Sequence, residues 1–278
     1  MHLYRILALT TVAWVFCAPS SFADPTTAMV DTASADAETP ATKKKVWDVI
    51  LGVGAAIRPA YEGSDHYTVS PVPFVKVTYD DMVSLGMRGL DAYWHHDNFR
   101  IGTGLTYSGG RKDSRTNGVF SDGDNRLKGL GTVDRALGVK GFASYNSGPM
   151  DFGGSVTKFT GGNNDGVLVN VGVSHRFKIT EQFSVSPHVG TTWGDHSYMQ
   201  TFFGVTQTQA ANTVFPQFSA GAGFKDVSAS LNTNYRFNEH WFVDANAGAV
   251  ELIGDASKSP ICLSSLGARF LTMIGYRF

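Results

Sequence analysis

The sequence predicts an all-β chain: an antiparallel transmembrane β-barrel of about twelve strands, or ten if one of its apolar runs does not span. Three observations point there. First, residues alternate back from the C-terminus. Phe278, Tyr276, Ile274, Thr272 and Phe270 fall on one face of an extended strand, and Arg277, Gly275, Met273, Leu271 and Arg269 on the other, because strand side chains point to opposite sides with period two. Second, the same alternation recurs from Val46 to the end. Third, residues 1–23 have the make-up of an export leader: a positive start at Arg5, an apolar stretch, and a small-x-small site at Ser21, Phe22 and Ala23.

In chain order, residues 1–23 are expected to be cleaved, which leaves 24 acidic against 22 basic residues. Cys17 follows Phe16, a poor setting for lipidation. Residues 24–45 are rich in Ala, Thr and Asp, close on Lys43, Lys44 and Lys45, and lack periodicity. They are expected to form a flexible periplasmic tail. Residues 46–278 form the predicted barrel. Trp47, Val49, Leu51, Val53, Ala55 and Ile57 oppose Asp48, Gly52, Gly54 and Arg58. Apolar runs follow at 67–79 and 82–94. Phe99, Ile101, Thr103, Leu105 and Tyr107 then oppose Arg100, Gly102, Gly104 and Thr106. Val167, Val169, Val171, Val173 and Phe177 stand against Asn170, Gly172, Ser174 and Arg176. Strands starting at Phe183, Leu231 and Trp241 repeat the pattern, and the terminal strand completes it.

Hydrocarbon offers no partner to a backbone N–H or C=O, so a sheet in a bilayer must close on itself. A soluble sandwich would alternate too. The leader, the terminal Phe278 and aromatics near strand ends (Trp47, Tyr107, Tyr145, Phe177, Trp193, Tyr235, Trp241, Tyr276) favour the barrel. Short connections at 146–149, 180–182 and 238–240 alternate with long ones near 108–131, 196–220 and 254–260. Short turns belong on the periplasmic side. An even strand count requires the 82–94 run to be two short strands, giving twelve. Pro71 and Pro73 lack donors, so a bulge or strand end is expected there. The expected location is the outer membrane of a Gram-negative cell, with its lipid and lipopolysaccharide as partners.

Near-neutral charge gives no sign of nucleic acid. After residue 23 only Cys262 remains, so neither an internal disulfide nor a paired-cysteine metal site is available. No run approaches 18 apolar residues, which excludes a helical span. His95, His96 and Asp97 are metal-ligand types, but neighbours on a strand diverge, so they are read as a polar turn. Asp195, His196 and Ser197 are triad types, yet a triad must converge through space. They are read as a strand-to-loop junction. No catalytic, cofactor or metal residue is therefore assigned. The 108–131 loop carries Arg111, Lys112, Asp113, Arg115, Asp122, Asp124, Arg126 and Lys128, and is expected to be solvated and external. Arg100, Lys140, Arg176, Arg236, Asp244 and Arg269 are the candidate lumen-lining charges, either paired to plug the barrel or selecting anionic solutes.

Several stretches carry a family resemblance. They are residues 58–65 (RPAYEGSD) with 70–73 (SPVP), 198–205 (YMQTFFGV), 220–227 (AGAGFKDV), 238–241 (NEHW), 254–261 (GDASKSPI) and 276–278 (YRF). In this order they resemble the MipA/OmpV family of outer-membrane proteins, with Ala60 and Lys258 as departures. The resemblance implies a non-enzymatic scaffold for murein-remodelling enzymes, a lytic transglycosylase and a murein synthase. The alternative is a narrow porin-like channel for small solutes. A surface adhesin or a rim enzyme acting on lipid A is a third reading.

Overall fold

A computed structural model describes residues 46–115 and 123–278. The expected leader (1–23) and tail (24–45), and Asp122 of the long loop, lie outside the described residues. Twelve strands form one up-and-down ring. They are β1 (Trp47–Pro59), β2 (Tyr67–Tyr79), β3 (Val83–Gly86), β4 (Gly89–His96), β5 (Phe99–Ser108), β6 (Ala136–Ser147) and β7 (Met150–Thr160). Then come β8 (Gly166–His175, continued past Arg176 by Phe177–Lys178), β9 (Phe183–Gly194), β10 (Gly223–Arg236), β11 (Trp241–Leu252) and β12 (Leu266–Arg277). Each pairs antiparallel with its sequence neighbours, and β1 closes the ring on β12 with Leu51 opposite Tyr276 and Ile57 opposite Phe270. The 82–94 run resolves into two strands, as twelve requires.

The wall is apolar outwards. Leu137 is 75% exposed and Val139 60%, while their neighbours Ala136, Gly138 and Lys140 are buried. A water-facing sheet would be built the other way round; here the solvent of the outer face is hydrocarbon. The terminus and the short turns share one rim: Arg277 N–H donates to the His240 carbonyl and Phe278 N–H to that of Val49. Cross-strand ring pairs girdle this rim, with Trp47–Tyr79 centroids at 4.7 Å, Phe99–Tyr145 at 4.6 Å and Trp241–Tyr276 at 5.1 Å. Such rings suit a half-wet interface.

The prolines behave differently from expectation. β2 neither bulges nor ends at Pro71 and Pro73; its register with β1 runs unbroken from Tyr79 to Tyr67. What ends is its other neighbour. β3 pairs with β2 only from Lys76 to Tyr79. Asp80 N–H donates to the Val46 carbonyl and Ala60 N–H to that of His66. Even-numbered backbone groups of this strand therefore face β1, and odd-numbered ones face away. Pro71 and Pro73 turn their nitrogens to the side where no strand stands. They cost the ladder nothing.

Candidate functional site

The site is the barrel interior with the cap seated in its long-loop mouth. Three short helices build much of the cap: α1 (His196–Phe203), α2 (Gln207–Ala211) and α3 (Gly254–Lys258). Asp195 caps α1, its carboxylate accepting from Tyr198 N–H at 2.8 Å, while His196 Nδ1 lies 3.0 Å from the Ala220 carbonyl. The triad-like residues are thus a helix start. α1 buries Tyr198, Met199, Phe202 and Phe203 against Ala136, Phe159, Leu168 and Leu252. Those four are lumen-facing positions of the strands, so α1 sits inside the mouth.

The other long loops lock onto it. Tyr61 hydroxyl donates to the Ile261 carbonyl at 3.0 Å across 200 residues of sequence, and both pack with Leu127, Leu130, Val205 and Phe215. Burial pushes the Tyr61 phenol well above its usual pKa. Gly63 has φ +92°, and a Cβ there would meet Cys262 Cα at 2.9 Å, so only glycine fits. The 108–131 loop departs from the expected solvated form. Arg111 is buried and donates to the Phe202 carbonyl at 2.6 Å, and burial lowers its pKa to about 10. Arg126 reaches both Asp124 and Asp65.

A buried ion cluster ties the cap to the wall. Between β9 and β10 the register slips: Thr192 faces Asp226, and Trp193 faces Phe224. Lys225 is the extra residue of a bulge, which turns both Lys225 and Asp226 inward. Lys225 Nζ then lies 2.9 Å from Glu62 of the first loop and against the Asp226 carboxylate, with Lys225 only 1% exposed.

Below the cap, charged and aromatic side chains line the lumen. Lys140 Nζ lies 3.0 Å from both oxygens of Asp91. A Cβ at Gly104 would meet Asp91 Oδ1 at 1.9 Å, so the glycine is what admits this carboxylate. Arg100 lies 5.3 Å from the Tyr93 ring centroid and 5.6 Å from that of Phe142. Asp244 accepts from Asn234 Nδ2 at 2.7 Å. Arg269 lies on the lumen face beside Gly248. Towards the short-turn end, Ile50, Phe74, Phe242 and Met273 form an apolar patch on the inner side of the neighbouring strands β11, β12, β1 and β2, with Met87 packed against it.

Of the six predicted charges, Arg100, Lys140, Asp244 and Arg269 occupy the lumen. Arg176 and Arg236 sit at the short-turn rim, where Arg236 donates to the Glu181 carbonyl and Arg176 N–H to that of Pro149. His95 and His96 point apart, His95 towards Asp81 at 3.7 Å and His96 onto Trp94. Sequence reasoning missed Asp91 and Tyr93, which the alternation of 89–96 places inward with no further signal. It also missed the cap's ion clusters.

Residues 51–278 match the family model described as MltA-interacting protein MipA. The chain belongs to the MipA family. A relative named for the outer membrane, YiaT of Escherichia coli K12, is 24% identical over 116 residues, 42% of this chain and 46% of that protein. The match thus spans less than half of that curated relative's length. Among solved structures, the channel DcaP of Acinetobacter baumannii superposes with a TM-score of 0.38 at 9% identity, over 84% of this chain and 96% of that one. The loop L8 deletion mutant of Vibrio cholerae OmpT gives 0.37 at 9%, over 84% and 98%. None of these superpositions is close enough to bear on what this chain does. The MipA-family barrel described here is an outer-membrane protein.

Proposed function

We propose that this MipA-family barrel is a non-catalytic scaffold that holds a murein-remodelling enzyme, a lytic transglycosylase of the MltA kind, at its periplasmic rim. The observation that carries the reading is the cap: its apolar clusters fill the long-loop mouth, and the Lys225 cluster ties it to the wall. A mouth occupied by a packed core favours rigidity over passage. The family description supplies the partner class. The periplasmic turns are short, so docking would use the rim around Arg176, Arg236 and Arg277, with area added by residues 24–45. The test is retention of purified MltA on the immobilised, detergent-solubilised barrel. Retention that weakens severalfold in an Arg236→Glu, Arg277→Glu variant supports the scaffold; no retention across a salt series overturns it.

A narrow channel is the second reading, favoured by Arg100 and Arg269 on the lumen face. Discrete conductance steps in a planar bilayer would support it, and a silent bilayer at high protein would remove it.

A further inference from the structure

The wall of the ring is not of even height. From Tyr67 to Val75, β2 has β1 on one side and, among the described residues, no strand on the other, because the β3–β4 hairpin stops at the level of Lys76. The next strand to rise beyond the hairpin tip is β5, whose Thr106 faces Gly89. Above the tip, β2 and β5 are therefore separated by up to three inter-strand spacings, about 14 Å. The open edge of β2 is about 30 Å long along the strand. It runs through the lipid-facing zone, since Val69 and Val75 on it are exposed outwards.

Three features say what this notch takes. An added peptide strand would need the odd-numbered N–H groups of β2, and Pro71 and Pro73 remove two of those between Val69 and Val75. An acyl chain needs none. The inner side of the notch is apolar: Phe74 of β2 belongs to the patch with Ile50, Phe242 and Met273, and Met87 at the hairpin tip packs against it. Methionine is unbranched and adaptable, a side chain that can yield to a ligand of variable shape. On the β5 side, Arg88 of the tip and Arg135 just before β6 both act electrostatically on the Tyr107 hydroxyl, so two cations stand together beside the notch. A lipid with a phosphate headgroup matches the apolar patch and the two cations together.

We propose that the notch between β2 and β5 is a lateral binding site, through which an acyl chain of an anionic outer-leaflet lipid reaches the Phe74–Met87 patch inside the wall. The site is independent of the scaffold reading and needs no chemistry at the periplasmic rim.

The test is photo-crosslinking in the full barrel, reconstituted into vesicles whose outer leaflet is lipopolysaccharide and inner leaflet phospholipid. Benzoylphenylalanine is placed singly at Phe74, at Val75 on the lipid face, and at Asn246 on another lumen-facing strand, and folding is checked by heat-modifiable gel migration. Lipid A adducts at Phe74 and Val75 but not Asn246 are expected, with the Phe74 yield falling at least fivefold in an Arg88→Glu, Arg135→Glu background. Labelling at Val75 with none at Phe74 would overturn the proposal. So would equal labelling at Asn246, a peptide adduct in place of lipid, or adducts at Phe74 made only with phospholipid.

Discussion

The two ends of this barrel are built on opposite physics. At the short-turn rim the chain turns within a few residues, and its apolar rings face outwards as cross-strand pairs such as Trp47–Tyr79 and Trp241–Tyr276. At the long-loop rim the chain makes a small core of the water-soluble kind, with Met199, Phe203, Val205, Leu127 and Ile261 all inaccessible. One sequence thus changes its rule for where apolar residues go at the level where α1 enters the mouth. Exposure shows why the rule must be read with the solvent. Val214 in the cap is 91% exposed and Val139 on the wall is 60% exposed. The first meets water and the second meets hydrocarbon.

The largest effect is expected where the two regions are tied together. Lys225 is buried between Glu62 and Asp226. Lys225→Met would leave two buried carboxylates without their cation, and breaking a buried pair in this way costs about 3–5 kcal/mol. The loss should fall on the cap: amide exchange at residues 60–66 and along α1 should accelerate by at least a hundredfold. The wall should keep its resistance to unfolding in detergent, because the ring closes through β1 and β12 without this cluster. If wall and cap loosened together, the division drawn above would be wrong.

A second, smaller effect sharpens the contrast of solvents. Val139→Arg puts a charge against hydrocarbon, which costs about 2–4 kcal/mol near the bilayer midplane and less towards the rims. Val214→Arg, at a more exposed position, should change stability by no more than about 0.5 kcal/mol. Urea unfolding of both variants in lipid vesicles measures the pair. Equal effects would mean that the outer face of β6 does not meet lipid.

The wall was legible in the sequence because period two is a local signal. Alternation placed Arg100, Lys140, Asp244 and Arg269 on one face without knowledge of any neighbour. The division of 82–94 came from the even strand count instead, and the structure puts it between Gly86 and Gly89. The cap was not legible, because nothing local distinguishes it. α1 has eight residues and its buried set is defined by strand ends far away in sequence, Ala136 and Leu252 among them. The bulge at Lys225 breaks the very period used to read the strands, so the charge cluster it creates was invisible. Asp195 did carry a local signal, as a helix N-cap, but with His196 and Ser197 it was read as a strand-to-loop junction and the helix was not foreseen. Pro71 and Pro73 were expected to force a bulge or a strand end, and β2 shows neither. Their effect lay in the neighbouring strand's length, which no residue of β2 encodes.

The smallest expected effect concerns acid. Asp65 is held below the usual carboxylate range chiefly by its hydrogen bond from Arg126. For Asp124, burial pushes upwards, but hydrogen bonds from the Arg126 side chain and backbone outweigh it and the net direction is also down. A carboxylate whose folded pKa is depressed contributes stability that is fully present above its unfolded pKa, about 3.9. That contribution fades as pH falls through the depressed folded values. The cap should therefore be indifferent to pH from neutrality to about 5 and begin to loosen only below about 4, around residues 61–65 and 124–127. Asp65 is half-exposed and the Arg126 that serves both groups is partly exposed, so the effect is screened and modest beside that of Lys225. Exchange protection corrected for the intrinsic rate, followed from pH 7 to 3, measures it. Arg126→Gln should flatten the profile by removing the partner that depresses both groups. A profile that stays steep in that variant would place the acid response in the buried Lys225 cluster instead, and would make the cap's inner tie, not its outer one, the part that senses pH.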